Sequence, residues 1–232
     1  MKKVLKIILI VLASLVAILA IGFIVLLFLF ANPIPPRAGA ENIRVASVGD
    51  SITYGFGTAW NRGKDSYPAQ LQALLGGEYQ VLNYGVTGTT LLKSGDKPYW
   101  ESSFFQYSQE SDPAIVTIML GTNDSKPQNW NAEDYEIQLV ELVNIYKNLP
   151  SHPAVYLLTP PAAFPNSIGA SNDIIQNEQI PIILRVGEQT NSTVIDIFSA
   201  TKDHPEYFPD DIHPNASGNR LIAETIYAVI SK

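Results

Sequence analysis

Four short stretches of the chain carry side chains that together suit nucleophilic acyl transfer. Ser51 stands in Val48-Gly49-Asp50-Ser51-Ile52-Thr53-Tyr54-Gly55, directly after an apolar run. The glycine permits a tight turn there, and a serine at a helix start sits among unpaired backbone donors. Late in the chain Asp210 precedes His213 by three positions. That spacing puts both side chains on one side of a turn, so the carboxylate can hold one ring nitrogen and leave the other for a serine. A serine hydroxyl is a weak nucleophile without such a base. Acyl transfer also needs donors aimed at a developing oxyanion. Gly88 can present its backbone N–H with no side chain in the way, Asn123 can add a side-chain amide, and the N–H of Ser51 completes the set.

Each stretch also has a plain structural reading. Ser51 can be a helix cap, and Asp210 to Pro214 can be the start of the last helix, with Asp211 able to cap it. Gly-Thr-Gly and Gly-x-Asn-Asp segments make turns. Their order and placement set them apart, since each falls just after an apolar run or just before the last helical stretch.

The elements that must position them alternate. Asn42 to Val48, Gln80 to Asn83, Ala114 to Met119, Ala154 to Leu158 and Thr193 to Ile197 are short apolar runs rich in β-branched residues, and they read as buried parallel strands. Ser66 to Leu75, Ala132 to Leu149, Asp173 to Thr190 and Ala216 to Ile230 are compatible with helices. The alternation predicts a three-layer α/β fold around a central parallel sheet. In such sheets reactive groups gather outside the carboxyl ends of the strands, where Ser51, Gly88 and Asn123 fall. The loop from Leu92 to Asp112 is compatible with a pocket wall.

Taken together, Gly49-Asp50-Ser51, Gly88, Gly121-x-Asn123-Asp124 and Asp210-x-x-His213 resemble the four sequence blocks of the SGNH (GDSL-like) hydrolases, over the domain from Asn42 to the C-terminus. The resemblance implies a flavodoxin-like α/β/α sandwich, with Ser51 as nucleophile, His213 as general base and Asp210 as its orienting partner. It implies an oxyanion hole made by Ser51, Gly88 and Asn123. No cofactor is required, and no serine lies in the Gly-x-Ser-x-Gly elbow of the α/β-hydrolases. The stretch Gly121 to Trp130, with Tyr99-Trp100 before it, is similar to bacterial carbohydrate and sialate O-acetylesterase-like members. Tyr99, Trp100 and Trp130 are therefore candidates to line a sugar-binding pocket, with core packing as the alternative. The expected substrate is a small acyl ester, above all an acetyl ester on a glycan. Longer acyl chains (lipase or thioesterase) and a non-catalytic glycan-binding surface protein are the competing readings.

Composition narrows the classes. Of the 15 basic residues four lie in the first forty positions, which hold no acid, so the remainder sets 11 basic residues against 22 acidic ones. That is a poor surface for phosphate backbones, and nucleic acid is not an expected partner. Cysteine is absent, which removes disulfides, thiolate metal sites, a cysteine nucleophile and lipid attachment at a lipobox. The three histidines, His152, His204 and His213, show no metal-ligand spacing.

From Val4 to Ala31 the chain runs 28 predominantly apolar residues with one charge, Lys6, where about 20 suffice to cross a bilayer. Residues 1–31 are expected to form a single membrane anchor, 32–40 a proline-rich spacer, and 41–232 the hydrolase domain. The positive-inside rule then places the domain on the extracytoplasmic side, and because Asn123-Asp124-Ser125 fits the N-glycosylation pattern at the candidate oxyanion donor, a bacterial cell membrane is the expected one.

Overall fold

The computed structural model describes residues 10–12, 14–23 and 42–231, together with Lys6 and Pro36. The chain divides into two compact units, Met1–Ile34 and Pro35–Lys232. In the first, the described positions are helical and their apolar side chains are exposed, among them Leu15, Ile18 and Phe23. The expected anchor falls largely outside the described residues, among which no helix is long and apolar enough to cross a membrane.

The second unit contains five strands: β1 (Ile43–Gly49), β2 (Tyr79–Gly85), β3 (Ile115–Met119), β4 (Ala154–Leu158) and β5 (Thr193–Ile195). They form one sheet in the order β2-β1-β3-β4-β5, with every pairing parallel. The helices that matter here are α1 (Tyr67–Leu75), α2 (Ser103–Glu110), α3 (Ala132–Lys147), α4 (Ile180–Thr190) and α5 (Ala216–Ile230).

Alternation along each strand sends neighbouring side chains to opposite faces. Ala46, Val48, Val116 and Ile118 pack on one face with Phe104 of α2, Leu142 and Tyr146 of α3, and Ile183 and Val186 of α4. Met119, Leu158 and Ile195 pack on the other with Tyr67 and Leu71 of α1 and Ile222 and Ile226 of α5. Helices therefore cover both faces, which is the expected three-layer sandwich. Both faces being buried explains why the strands read as near-continuous apolar runs.

Three local differences from the sequence reading have physical causes. The last strand stops at Ile195 because Asp196 caps a short helix, Ile197–Thr201, by accepting the N–H of Ser199 at 3.0 Å. The stretch from Leu92 to Asp112 is not all loop: α2 fills its second half, capped by Ser102 and anchored by buried Phe104. The helix expected from Asp173 to Thr190 contains a π-helical turn, Ile175–Gln179, before α4.

Candidate active site

The sheet order makes β1 the place where the chain reverses direction: it runs outward to β2, then returns to the opposite side as β3. In open α/β sheets the crevice at this point, outside the strand ends, is the binding position. Ser51 follows β1, Gly88 follows β2 and Asn123 follows β3, so the fold alone gathers them at one end of the sheet.

Ser51 opens a one-turn helix, Ser51–Tyr54. The cap of that turn is Asp50, whose carboxylate accepts the N–H of Ile52 at 2.8 Å, and not Ser51 itself. The serine hydroxyl is thereby left for another partner: Oγ lies 2.8 Å from Nε2 of His213. Gly49 is needed for closeness of packing, because a Cβ there would lie 2.6 Å from the carbonyl oxygen of Met119.

Asp210 and His213 sit in a turn before α5, not in the helix. Asp210 Oδ1 accepts the backbone N–H of His213 at 2.7 Å and of Ile212 at 3.2 Å, while Oδ2 lies 2.6 Å from Nδ1 of His213. The start of α5 is capped by Asn215, which accepts from Ser217 and Gly218, so neither Asp210 nor Asp211 is used there. A carboxylate only accepts, so Nδ1 carries the ring proton and Nε2 is left to accept from Ser51. Partial burial raises the Asp210 carboxyl, but hydrogen bonds from the His213 ring and backbone outweigh it and hold the group below its usual value. Ser51 and His213 are 4% and 8% exposed. The ring of Phe56 lies against that of His213, with centroids 4.6 Å apart.

The candidate oxyanion donors follow the ends of β1, β2 and β3. Gly88 has φ +80° and nothing within 4 Å of where a Cβ would be, so the backbone conformation, not lack of room, is what calls for glycine. Among the described residues the backbone N–H groups of Ser51 and Gly88 have no acceptor. The Asn123 side-chain amide donates one hydrogen to Thr89 O at 3.1 Å, which leaves its second hydrogen for a ligand. Asp124 is buried and accepts the N–H groups of Leu91 at 3.1 Å and Leu92 at 2.7 Å. Sequence reasoning gave Asp50 and Asp124 no separate roles, although both stand inside the motifs.

These two acids lack a cationic partner within ion-pair distance among the described residues. Burial pushes Asp50 up to about 7, against the hydrogen bond from Ile52 and with the added repulsion of Asp124. Burial likewise pushes Asp124 up to about 6, against the bonds from Leu92 and Leu91.

Of the three aromatic candidates, one departs from the expectation of a pocket wall. Tyr99 is buried in the core, its hydroxyl donating to Tyr84 O at 2.8 Å, and it has no face to offer a sugar. Trp100 packs on Phe105 and donates its indole N–H to Leu91 O at 2.6 Å. Trp130 packs on Tyr135 and donates to Glu178 at 2.7 Å. A cleft of about 710 Å³ lined by Ala163, Phe164, Asn166, Ser171, Gln176 and Lys202 contains none of Ser51, Asp210 or His213. Among the described residues no cluster of three histidine or acidic side chains is arranged to hold a metal ion.

Residues 47–221 match the sequence profile of the GDSL-like lipase/acylhydrolase family, a span that takes in all four motifs. The chain belongs to that family. An acetylxylan esterase from Xylanibacter ruminicola is 36% identical over 214 aligned residues, covering 84% of this chain and 44% of that protein. This GDSL-like chain thus spans less than half the length of the curated relative it matches. Among solved structures, a carbohydrate acetylesterase from Sinorhizobium meliloti is similar with a TM-score of 0.67 at 17% identity, over 81% of this chain and 98% of that one. A catalytic mutant of an acetylxylan esterase from Geobacillus stearothermophilus gives 0.62 at 22% identity, over 84% and 97% of the two chains. At these identities the structural likeness shows the GDSL-like fold.

Proposed function

We propose that the protein is a serine esterase that removes small acyl groups, acetyl above all, from carbohydrate. The observation that carries the reading is the unbroken chain from Ser51 Oγ to His213 Nε2 at 2.8 Å and from His213 Nδ1 to Asp210 Oδ2 at 2.6 Å. The family membership and the acetylxylan esterase relative support ester hydrolysis and an acetylated glycan as substrate.

In this reading Ser51 Oγ attacks the ester carbonyl carbon as its proton passes to His213 Nε2, and Asp210 stabilises the imidazolium that forms. Negative charge on the former carbonyl oxygen is met by the N–H groups of Ser51 and Gly88 and the free amide hydrogen of Asn123. Collapse of the tetrahedral intermediate breaks the ester C–O bond. His213 returns its proton to the leaving alcohol, and Ser51 keeps the acyl group. Water, deprotonated by His213, then attacks the acyl-serine, releases the carboxylic acid and restores the serine.

Hydrolysis of p-nitrophenyl esters of increasing acyl length by the full chain, with Ser51→Ala as control, tests the substrate class. Activity concentrated on the acetyl ester and lost in the variant is expected. A preference for long chains would replace the deacetylase reading with a lipase or thioesterase.

The same reading holds the enzyme at a membrane through the apolar run of residues 4–31, with the catalytic unit on the extracytoplasmic side of a bacterial cell. Recovery of the full chain in the aqueous phase of a detergent phase separation would contradict it.

A further inference from the structure

We infer that Phe56 and Trp60 form the subsite for the sugar that carries the scissile ester, with Trp60 as its stacking platform. The inference rests on the esterase reading above and specifies where the alcohol half of the substrate is held.

Mechanism decides the side. The acyl oxygen must point to Gly88 and Asn123, while the departing alcohol oxygen must lie within reach of His213 Nε2 to receive its proton. The sugar therefore leaves on the histidine side of Ser51. Phe56 occupies that side, with its ring 4.6 Å from that of His213. Trp60 follows four residues later in a 3-10 segment, Phe56–Asn61. The segment is kinked at Thr58, whose φ and ψ are not helical, and Trp60 lies beyond the kink.

Trp60 is 90% exposed, unlike Trp100 and Trp130, whose indole N–H groups are both bonded within the protein. Its own indole N–H has no acceptor among the described residues. The segment that holds it out is pinned. A Cβ on Gly57 would lie 2.4 Å from Pro214 O, so the segment is seated directly on the backbone that follows His213. Thr58 N–H donates to Gly55 O at 3.0 Å. Arg62, two residues beyond Trp60, donates to Tyr54 O at 3.0 Å and stacks over the Tyr54 ring at 4.0 Å. The backbone of the segment is thus held against the residues that follow His213, and the exposed Trp60 ring loses apolar area to solvent only when a ligand covers it. A pyranose offers an apolar C–H face to the ring and a hydroxyl to the indole N–H.

Binding of an acetylated xylo-oligosaccharide to the full chain carrying Ser51→Ala, measured by titration calorimetry with and without Trp60→Ala, tests the subsite. Loss of this stacking should weaken binding about ten-fold, and Trp60→Phe should recover most of the affinity. Equal affinity with and without Trp60→Ala would overturn the inference. Hydrolysis of ethyl acetate, whose leaving alcohol has no ring, separates it from the reading beneath. A wild-type chain that cleaves ethyl acetate while its Ser51→Ala form fails to bind the oligosaccharide refutes the sugar subsite alone. A wild-type chain that binds the oligosaccharide but cleaves no acetate refutes the esterase.

Discussion

Asn123 donates its side-chain amide to the carbonyl of Thr89 at 3.1 Å, tying the end of β3 to the segment that carries Gly88. The next residue repeats the tie, since the Asp124 carboxylate accepts from Leu91 and Leu92. An oxyanion hole built from two separate loops needs such cross-links, because donors act on the transition state only if they are already in position.

Asp124→Asn keeps the size of the side chain but turns one acceptor toward its partners as a donor. The Gly88 segment should loosen, costing about 1–3 kcal/mol of stability for the unmet buried groups. Activity should fall through kcat, by up to about 10²–10³-fold, the range seen when an oxyanion donor is lost. Steady-state kinetics together with a denaturant titration check both halves.

Gly88→Ala places a Cβ in open space but at φ +80°. The strain costs about 1–2 kcal/mol, and relaxation of the backbone should swing the N–H away from the oxyanion. The expected outcome is a folded protein with a small loss of stability and a kcat reduced about ten-fold or more. An unchanged kcat would remove Gly88 from the oxyanion hole.

Asp210→Asn cannot serve as a carboxylate for the imidazolium and allows the wrong ring tautomer. A fall in kcat of about 10²–10⁴-fold is expected, with KM little changed. Since Asp210 is about half exposed, the loss should lie toward the lower end of that range.

Stability should depend on pH through the two buried acids. In the unfolded chain Asp50 loses its proton near 3.8, whereas in the fold it keeps it up to about 7. Between those values the folded state binds more protons, so stability falls as pH rises from about 4 to about 7 and then levels off. The cost from Asp50 above that window is about 4 kcal/mol at 1.36 kcal/mol per pH unit. Asn in its place can still accept from Ile52, so Asp50→Asn should flatten the decline and raise the melting temperature at pH 8. Thermal melts of both proteins from pH 4 to pH 8 check this.

Much of this arrangement is legible in the sequence because parallel strands buried on both faces stand out as apolar runs, because Ser51, Gly88 and Asn123 follow their ends, and because Asp210 and His213 stand three apart just before the last helix. Asp50 and Asp124 were visible only as motif letters: their hydrogen bonds to Ile52, Leu91 and Leu92 depend on loops that no periodicity encodes. The π-helical turn Ile175–Gln179 leaves no sequence signature, since its residues are ordinary helix formers. The aromatic residues show the limit most clearly. Tyr99 lies near the motifs in sequence and points into the core, whereas Phe56 meets His213 across 157 positions of chain. Only the folded chain sets which aromatic faces the chemistry.

The central claim is that Ser51 carries the reaction, and acetate release from an acetylated xylo-oligosaccharide by the wild-type full chain and by Ser51→Ala tests it most directly. The expected result is steady release by the wild type and a rate at least about 10³-fold lower in a variant that melts at the same temperature. Wild-type release rates from folded Ser51→Ala would contradict it.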